Sequence, residues 1–235
     1  MHYVALIPAA GAGARMGAGA PKQYLPLAGR PMLYHSIRCV AVPPVETVFV
    51  VLSPDDKTFA SHDWGEFDGL LAPLYCGGET RHDSVHNGLI AAMTAVDADD
   101  WVLVHDAARP CLPRADLDRL VAETKDDEVG GVLALPAADT VKRTYVGAGG
   151  AARIAATEDR SRLWLAQTPQ MFRAGLLAQA LHNARGTVTD EASAVEQMGL
   201  QPRLVQGSRL NIKVTYPEDV QVAEAILAMG KARSK

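Results

Sequence analysis

The 235-residue sequence is short of cysteine, aromatic residues and positive charge, and each shortage narrows the class of protein. Its three cysteines, Cys39, Cys76 and Cys111, are widely spaced and form no C-x-x-C pair. That argues against a disulfide framework and for reduced thiols in a cytoplasmic protein. The formal net charge of −4 argues against broad nucleic-acid binding, which shows as a basic balance or stripe. No stretch approaches the ~20 apolar residues of a membrane span. The first apolar run stops at Pro8, too soon for a secretory leader. The expectation is a cytoplasmic chain with neither a nucleic-acid nor a membrane partner.

What is present is core material. Hydrophobic residues make up 48% of the chain and charged residues 21%, enough for one large α/β domain or two small ones. No repeat, low-complexity tract or linker divides the chain, so 1–235 reads as a single unit. Apolar runs at 3–7, 47–52, 101–104 and 129–135 have the form of strands buried on both faces. Leu70 to Cys76 has room for a further short strand. Helical patterns begin near Pro31, at Ser53-Pro54-Asp55-Asp56, after Gly77-Gly78 and at about Ala115. This alternation predicts an open, mostly parallel sheet wound with helices, in which ligands sit outside the carboxyl ends of the strands.

The rhythm breaks after Leu135. Residues 139–146 and 153–157 flank Gly147-Ala148-Gly149-Gly150, giving a hairpin with a glycine tip. Such an excursion suits either an arm projecting towards another subunit or a plain surface loop. The α/β pattern then resumes with a run at 163–170, a helix at 174–184, a helix opened by Thr189-Asp190-Glu191-Ala192 and a strand at 203–205. Thr215-x-x-Glu218, with Pro217 in the first turn, predicts a capping box at the last helix.

Chemistry concentrates at the ends of those strands. Pro8-Ala9-Ala10-Gly11-Ala12-Gly13-Ala14-Arg15-Met16-Gly17 leaves the backbone bare enough for a ligand to approach its N–H groups. Arg15 and Lys22 flank it with positive charge. The run lacks the Gly-Lys-Ser/Thr of a Walker loop, and its third glycine falls one residue late for a dinucleotide fingerprint. The acidic residue such a fingerprint needs, about 20 residues on, is also missing. A loop of bare amides with two cations suits a triphosphate. Asp106, after the third strand, can meet a ribose hydroxyl or a Mg²⁺ ion, or can equally cap a helix or pair with Arg109. His82 and His86 match the spacing of an H-E-x-x-H zinc helix. Asp83, however, replaces the glutamate, and spacing indicates no third ligand. Ser84 lacks the G-x-S-x-G elbow of a hydrolase nucleophile but can donate a hydrogen bond beside the glycine turn. Arg160, Thr168, Thr189 and Lys213 lie near expected strand ends or helix starts, where they could hold a second anion.

Taken in order, these motifs resemble the 2-C-methyl-D-erythritol 4-phosphate cytidylyltransferase family over about residues 3–229. The resemblance rests on Pro8-Ala9-Ala10-Gly11-x-Gly13-x-Arg15-Met16, Pro21-Lys22-Gln23-Tyr24, Gly77-Gly78-x-x-Arg81-x-x-Ser84-Val85 and His105-Asp106-Ala107-Ala108-Arg109-Pro110. It continues through Asp139-Thr140-Val141-Lys142, Thr168-Pro169-Gln170, Thr189-Asp190-Glu191-Ala192 and Asn211-Ile212-Lys213-Val214-Thr215. Ala14 and Glu79 depart from residues common in relatives.

The resemblance implies a single Rossmann-like nucleotidyltransferase domain with a β-arm at 137–158. Ala9, Ala10, Gly11, Gly13, Arg15 and Lys22 would hold CTP through ribose and triphosphate. Gly78, Glu79 and Ser84 would read cytosine, with Arg81 supporting that turn, and Asp106 and Ala107 would lie against the ribose and reacting phosphates. Arg109, Thr140, Arg160, Thr168, Thr189 and Lys213 would bind the acceptor phosphate. Arg15, Lys22 and Lys213 would be the catalytic cations. The resemblance also implies Mg²⁺, bound mainly through the CTP phosphates with Asp106 a candidate ligand. It implies a homodimer in which the arm supplies Thr140 and Arg160 to the neighbouring site. A cytidylyltransferase for another polyol phosphate, such as ribitol 5-phosphate, and a non-catalytic nucleotide-binding dimer are the competing readings.

Overall fold

The computed structural model describes residues 1–11 and 21–233. The chain opens with β1 (Tyr3–Pro8), followed by the short antiparallel pair β2 (Pro26–Leu27) and β3 (Arg30–Pro31) and by α1 (Met32–Val40). Next come β4 (Val45–Val51), β5 (Leu71–Leu74), α2 (Arg81–Ala92), β6 (Trp101–Val104), α3 (Arg114–Thr124) and β7 (Gly130–Pro136). The hairpin is β8 (Lys142–Val146) and β9 (Ala152–Thr157). The chain closes with β10 (Trp164–Arg173), α4 (Ala174–Asn183), α5 (Glu191–Glu196), β11 (Arg203–Gln206) and α6 (Pro217–Arg233).

Seven strands form one sheet in the order β11-β7-β10-β6-β1-β4-β5. β4 and β6 flank β1 in parallel, β5 adds to β4 and β11 to β7 in the same sense. β10 runs antiparallel between β6 and β7. The mostly parallel α/β sheet expected from the strand–helix alternation is therefore the observed one.

Alternation along the central strands divides the core into two layers. Ala5, Ile7, Trp101 and Leu103 face one way and pack with α1 and α3 through Leu33, Ile37, Leu117 and Leu120. Val4, Leu6, Val102 and Val104 face the other way and pack with α2, α4 and α5 through Val85, Leu89, Leu177 and Val195. Each fully buried Leu or Ile contributes about 1.5–3 kcal/mol relative to exposure, so a sheet covered on both faces needs the continuous apolar runs seen in the sequence. A third, smaller cluster joins Leu27, Met32, Cys111, Val214 and Ala223, and seats α6 near β2.

Local signals explain most element starts, with two exceptions. Thr80 accepts from the Asp83 N–H while the Asp83 carboxylate accepts from Thr80, a reciprocal box that begins α2. Asp190 and Ser193 do the same for α5. At 53–56 the expected helix does not form. The Asp56 carboxylate instead accepts from the Thr58 and Phe59 N–H groups at 2.8 and 2.9 Å, starting only a single 3₁₀ turn. At α6 the expected Thr215–Glu218 box is replaced by Asp219, whose carboxylate accepts from the Thr215 and Tyr216 N–H groups at 2.7 and 2.8 Å.

The hairpin stands apart from the main sheet as its own two-stranded sheet, and all residues of β8 and β9 are exposed. Among the described residues no helix is long and apolar enough to cross a membrane.

Candidate active site

Because β1 and β6 are parallel neighbours, their carboxyl ends open side by side. There they form a cleft of about 410 Å³. One wall is residues 8–11 with Lys22 and Gln23, the opposite wall is 78–81 with Ser84, and the floor is 106–108 with Lys213 at the edge. The backbone after β1 continues the sheet for one more bond, from the Ala9 N–H to the Val51 carbonyl at 2.8 Å. Gln23, buried, donates to the Ala9 carbonyl at 2.6 Å and so joins the two ends of the glycine loop. Gly13 and Arg15, and the rest of 12–20, lie outside the described residues.

The second glycine turn is held against the first by close approach. A Cβ on Gly77 would stand 2.2 Å from Ala10 Cβ and 2.8 Å from the Leu52 carbonyl oxygen, so only glycine fits. The Gly77 N–H donates to that same carbonyl at 2.8 Å. Behind the turn, Ser84 accepts from the Gly78 N–H at 3.1 Å and donates to the Thr80 carbonyl at 2.9 Å. Its hydroxyl thus shapes the turn, while Glu79 stays exposed on the cleft wall.

Asp106 is the electrostatic centre. It is nearly buried, yet Lys213 Nζ lies 2.8 Å from Oδ2, Arg81 Nε 3.0 Å from Oδ1, and Arg109 Nε 3.7 Å from Oδ2. Burial works to raise the carboxyl pKa, but Arg81 and Lys213, with Arg109 behind them, outweigh it. They hold Asp106 well below the usual carboxylate range. It is therefore a fixed negative charge at neutral pH.

The neighbouring loops are built to keep that arrangement. His105 Nε2 faces the Arg109 carbonyl at 3.0 Å, an acceptor only, so the proton sits on Nε2 and Nδ1 accepts. The Thr168 hydroxyl, 3.1 Å from Nδ1, is then its donor, and Thr168 Oγ1 in turn accepts from the Asp106 N–H at 2.9 Å. Burial lowers the His105 pKa to about 4, which keeps the ring neutral. Lys213 is placed from both sides. Arg109 Nη1 donates to the Asn211 carbonyl at 2.7 Å, Asn211 Nδ2 to the Thr168 carbonyl at 2.8 Å, and the Val214 N–H to the Ala108 carbonyl at 2.8 Å.

The expected site residues thus fall into distinct groups. Ala9, Ala10, Gly11, Lys22, Gly78, Glu79, Arg81, Ser84, Asp106, Ala107 and Lys213 share one cleft. Arg109 and Thr168 are buried just behind it and spend their polar groups on the scaffold. Thr140, Arg160 and Thr189 are exposed and lie outside the cleft lining of the single chain, and Arg160 donates to the Ala138 carbonyl.

Sequence reasoning missed Glu191, which grips Arg81 from the far side of the cleft wall. The run Thr189-Asp190-Glu191-Ala192 reads as a helix start and as a family motif, but nothing local signals a partner for Glu191 110 residues away. His82 and His86 stack on α2 with ring centroids 6.4 Å apart and His182 6.0 Å beyond. Among the described residues, no group of three or more metal-ligating side chains is placed to hold an ion.

An open parallel sheet with a bare-amide loop after its first strand, cationic side chains over it and a clamped carboxylate after the neighbouring strand defines a nucleotidyltransferase. The family profile described as IspD, 2-C-methyl-D-erythritol 4-phosphate cytidylyltransferase, matches residues 3–229, and the chain belongs to that family. It is 54% identical over 231 residues to the 2-C-methyl-D-erythritol 4-phosphate cytidylyltransferase of Dechloromonas aromatica, covering 98% of this chain and 99% of that one. The protein of the same name from Laribacter hongkongensis is 56% identical, with 97% of each chain covered. Among solved structures, a 4-diphosphocytidyl-2C-methyl-D-erythritol synthase superposes with a TM-score of 0.83 at 38% identity, over 96% of this chain and 98% of that one.

Proposed function

We propose that the chain transfers the cytidylyl group of CTP to 2-C-methyl-D-erythritol 4-phosphate. The products are 4-diphosphocytidyl-2-C-methyl-D-erythritol and pyrophosphate, in the non-mevalonate route to isoprenoid precursors. The observation that carries this reading is the cleft itself: bare amides after β1, with Lys22 and Lys213 lining the same space as the glycine turn at Gly78. A phosphate oxygen of the acceptor attacks the α-phosphorus of CTP, the bond to the β-phosphate breaks, and the electron pair leaves with pyrophosphate. The nucleophile is already anionic at neutral pH, so positioning and charge stabilisation supply the catalysis.

In this reading Ala9, Ala10, Gly11 and Gly13 present their backbone to CTP, and Arg15 and Lys22 stabilise the triphosphate and the leaving group. Gly78, Glu79 and Ser84 face the base, with Arg81 bracing their turn, and Asp106 and Ala107 face the ribose. Lys213 holds the attacking phosphate. Its side chain is 43% exposed while Nζ lies 2.8 Å from Asp106, so it can serve both. Thr140, Arg160 and Thr189 complete the acceptor site, and Arg109 and Thr168 brace it from behind through Asn211 and the Asp106 N–H.

The family is metal-dependent, and Mg²⁺ is the ion we assign. Both Asp106 oxygens already accept from cations, and no larger donor cluster is placed nearby among the described residues. That donor set fits an ion held mainly through the phosphates of CTP, with Asp106 the candidate protein ligand. When bound, the ion neutralises charge on the phosphates.

We further infer a homodimer through the arm at 137–158, part of a single domain spanning 1–235. Tyr145, Val146 and Ile154 are exposed on the arm, 56%, 78% and 63% respectively, and a partner would cover them. Thr140 and Arg160 would then reach the partner's cleft. A cytoplasmic setting agrees with the three free thiols, of which burial pushes Cys39 to about 11 and Cys111 to about 12. Pyrophosphate release from CTP, measured with 2-C-methyl-D-erythritol 4-phosphate and with ribitol 5-phosphate, tests the assignment. Release with the first acceptor alone is expected. Preference for the second, or CTP binding with no release, would overturn it.

A further inference from the structure

We propose that Glu191 is a positioning residue for the transfer reaction, acting through Arg81 to fix the Asp106 carboxylate at the cleft. The proposal rests on the reading of Asp106 as part of the active site. Glu191 is 1% exposed, and its two oxygens take Arg81 Nη1 at 2.6 Å and Nη2 at 3.1 Å. The adjacent edge of the same guanidinium, which shares Nη2, meets Asp106 Oδ1 from Nε at 3.0 Å and Nη2 at 3.0 Å. Arg81 is thus a plate held between two carboxylates, one at the cleft and one behind it.

A buried carboxylate is costly unless paired, so its presence calls for a reason. Helix capping is not that reason, because Asp190 and Ser193 already cap α5 reciprocally. Orientation of Arg81 is. The planar fork matches a carboxylate in one geometry only, so the grip by Glu191 sets the rotation of the guanidinium and therefore the place of Asp106 Oδ1.

The grip also decides which cations remain for the substrate. Arg81 is a cleft-lining side chain close to where phosphates would lie. With its nitrogens committed to Glu191 and Asp106, it cannot swing onto them. Lys213, which meets Asp106 through the other oxygen, keeps a partly exposed side chain that lines the cleft. Loss of Glu191 would release Arg81 to compete with Lys213 for phosphate and leave Asp106 free to turn.

The test is steady-state kinetics on the full chain with CTP and 2-C-methyl-D-erythritol 4-phosphate, comparing wild type, Glu191→Gln, Asp106→Asn and the double variant. Glu191→Gln is expected to lower kcat by about 10- to 100-fold, the scale of a misplaced catalytic geometry, with KM for CTP changed by less than about threefold. In the Asp106→Asn background the same change should cost almost nothing more, because the two act as one unit. Glu191→Asp keeps the charge but shortens the reach, so its kcat should fall between wild type and Glu191→Gln; it serves alone if the glutamine variant does not fold. Wild-type kcat in both Glu191 variants, or effects of Glu191 and Asp106 that simply multiply, would overturn the proposal while leaving the site intact. Wild-type kcat in Asp106→Asn would instead remove the site reading, and the proposal with it.

Discussion

Lys22 and His105 show how two side chains in one region carry different burdens. Lys22 lines the cleft at the end of the glycine loop, where charge on a leaving pyrophosphate grows as the P–O bond breaks. Lys22→Ala is expected to lower kcat by roughly 10²-fold or more, the scale of removing a preorganised charge donor. Near-normal turnover in a pyrophosphate-release assay would contradict the mechanism. His105 touches no cleft space and contributes to stability. Its folded pKa, about 4, lies below the ordinary value near 6.5, so between those limits the unfolded chain takes up a proton that the folded chain refuses. Stability from this residue is complete above pH 6.5 and is lost as pH falls towards 4, by on the order of 3 kcal/mol in all. Urea midpoints measured from pH 7 to 4 should fall accordingly, and His105→Gln should flatten that slope. Asp106 acts in a separate, lower window, below the ordinary carboxylate range, since its depressed pKa preserves its charge there.

Among the elements, α2 does most to assemble the cleft, because it carries Arg81 and Ser84 from the sheet face to the rim. Its distance from the sheet is set at Gly88. A Cβ there would stand 2.2 Å from Val51 Cγ2 on β4. Gly88→Ala gains helix propensity of about 1 kcal/mol, yet overpacking typically costs about 1–3 kcal/mol. Displacement of α2 should also raise KM for CTP. Adding Val51→Ala reopens the space, so the double variant should recover much of the CTP affinity. An unchanged KM in Gly88→Ala, or no recovery in the pair, would show that α2 does not depend on this contact. The start of α2 was legible in its glycine turn, whereas the failed helix at 53–56 shows the limit of such signals. Asp56 spends its carboxylate on one 3₁₀ turn and on the Tyr24 hydroxyl at 2.7 Å, a tertiary partner that no local pattern encodes.

For the whole molecule the arm at 137–158 is the element on which the proposed dimer turns. Among the described residues its strands pair only with each other, and they leave Tyr145, Val146 and Ile154 in solvent as an apolar patch. Ile154→Asp should shift the protein from dimer to monomer in sedimentation or light-scattering measurements. It should also depress turnover with the acceptor while CTP binding persists, because Thr140 and Arg160 would no longer reach a neighbouring cleft. A dimer of wild-type activity in that variant would remove the arm from both roles.

Sequence alone determined the parallel strands at the centre, the glycine turns at their ends and the charged residues beside those turns. Those features are local: an apolar run, a missing Cβ or a charge beside a turn acts through its immediate neighbours. Tertiary structure decided that β10 enters antiparallel between β6 and β7, and that its register slips between Ala166 and Gln170. The unbroken register against β6, with Gln170 opposite Val104, carries Thr168 to Asp106. It also decided that Glu191 holds Arg81 and that Asn211 and Val214 deliver Lys213 to Asp106. These pairings join residues far apart in the chain, and burial together with the need to pair every buried charge selects them only once the sheet has closed.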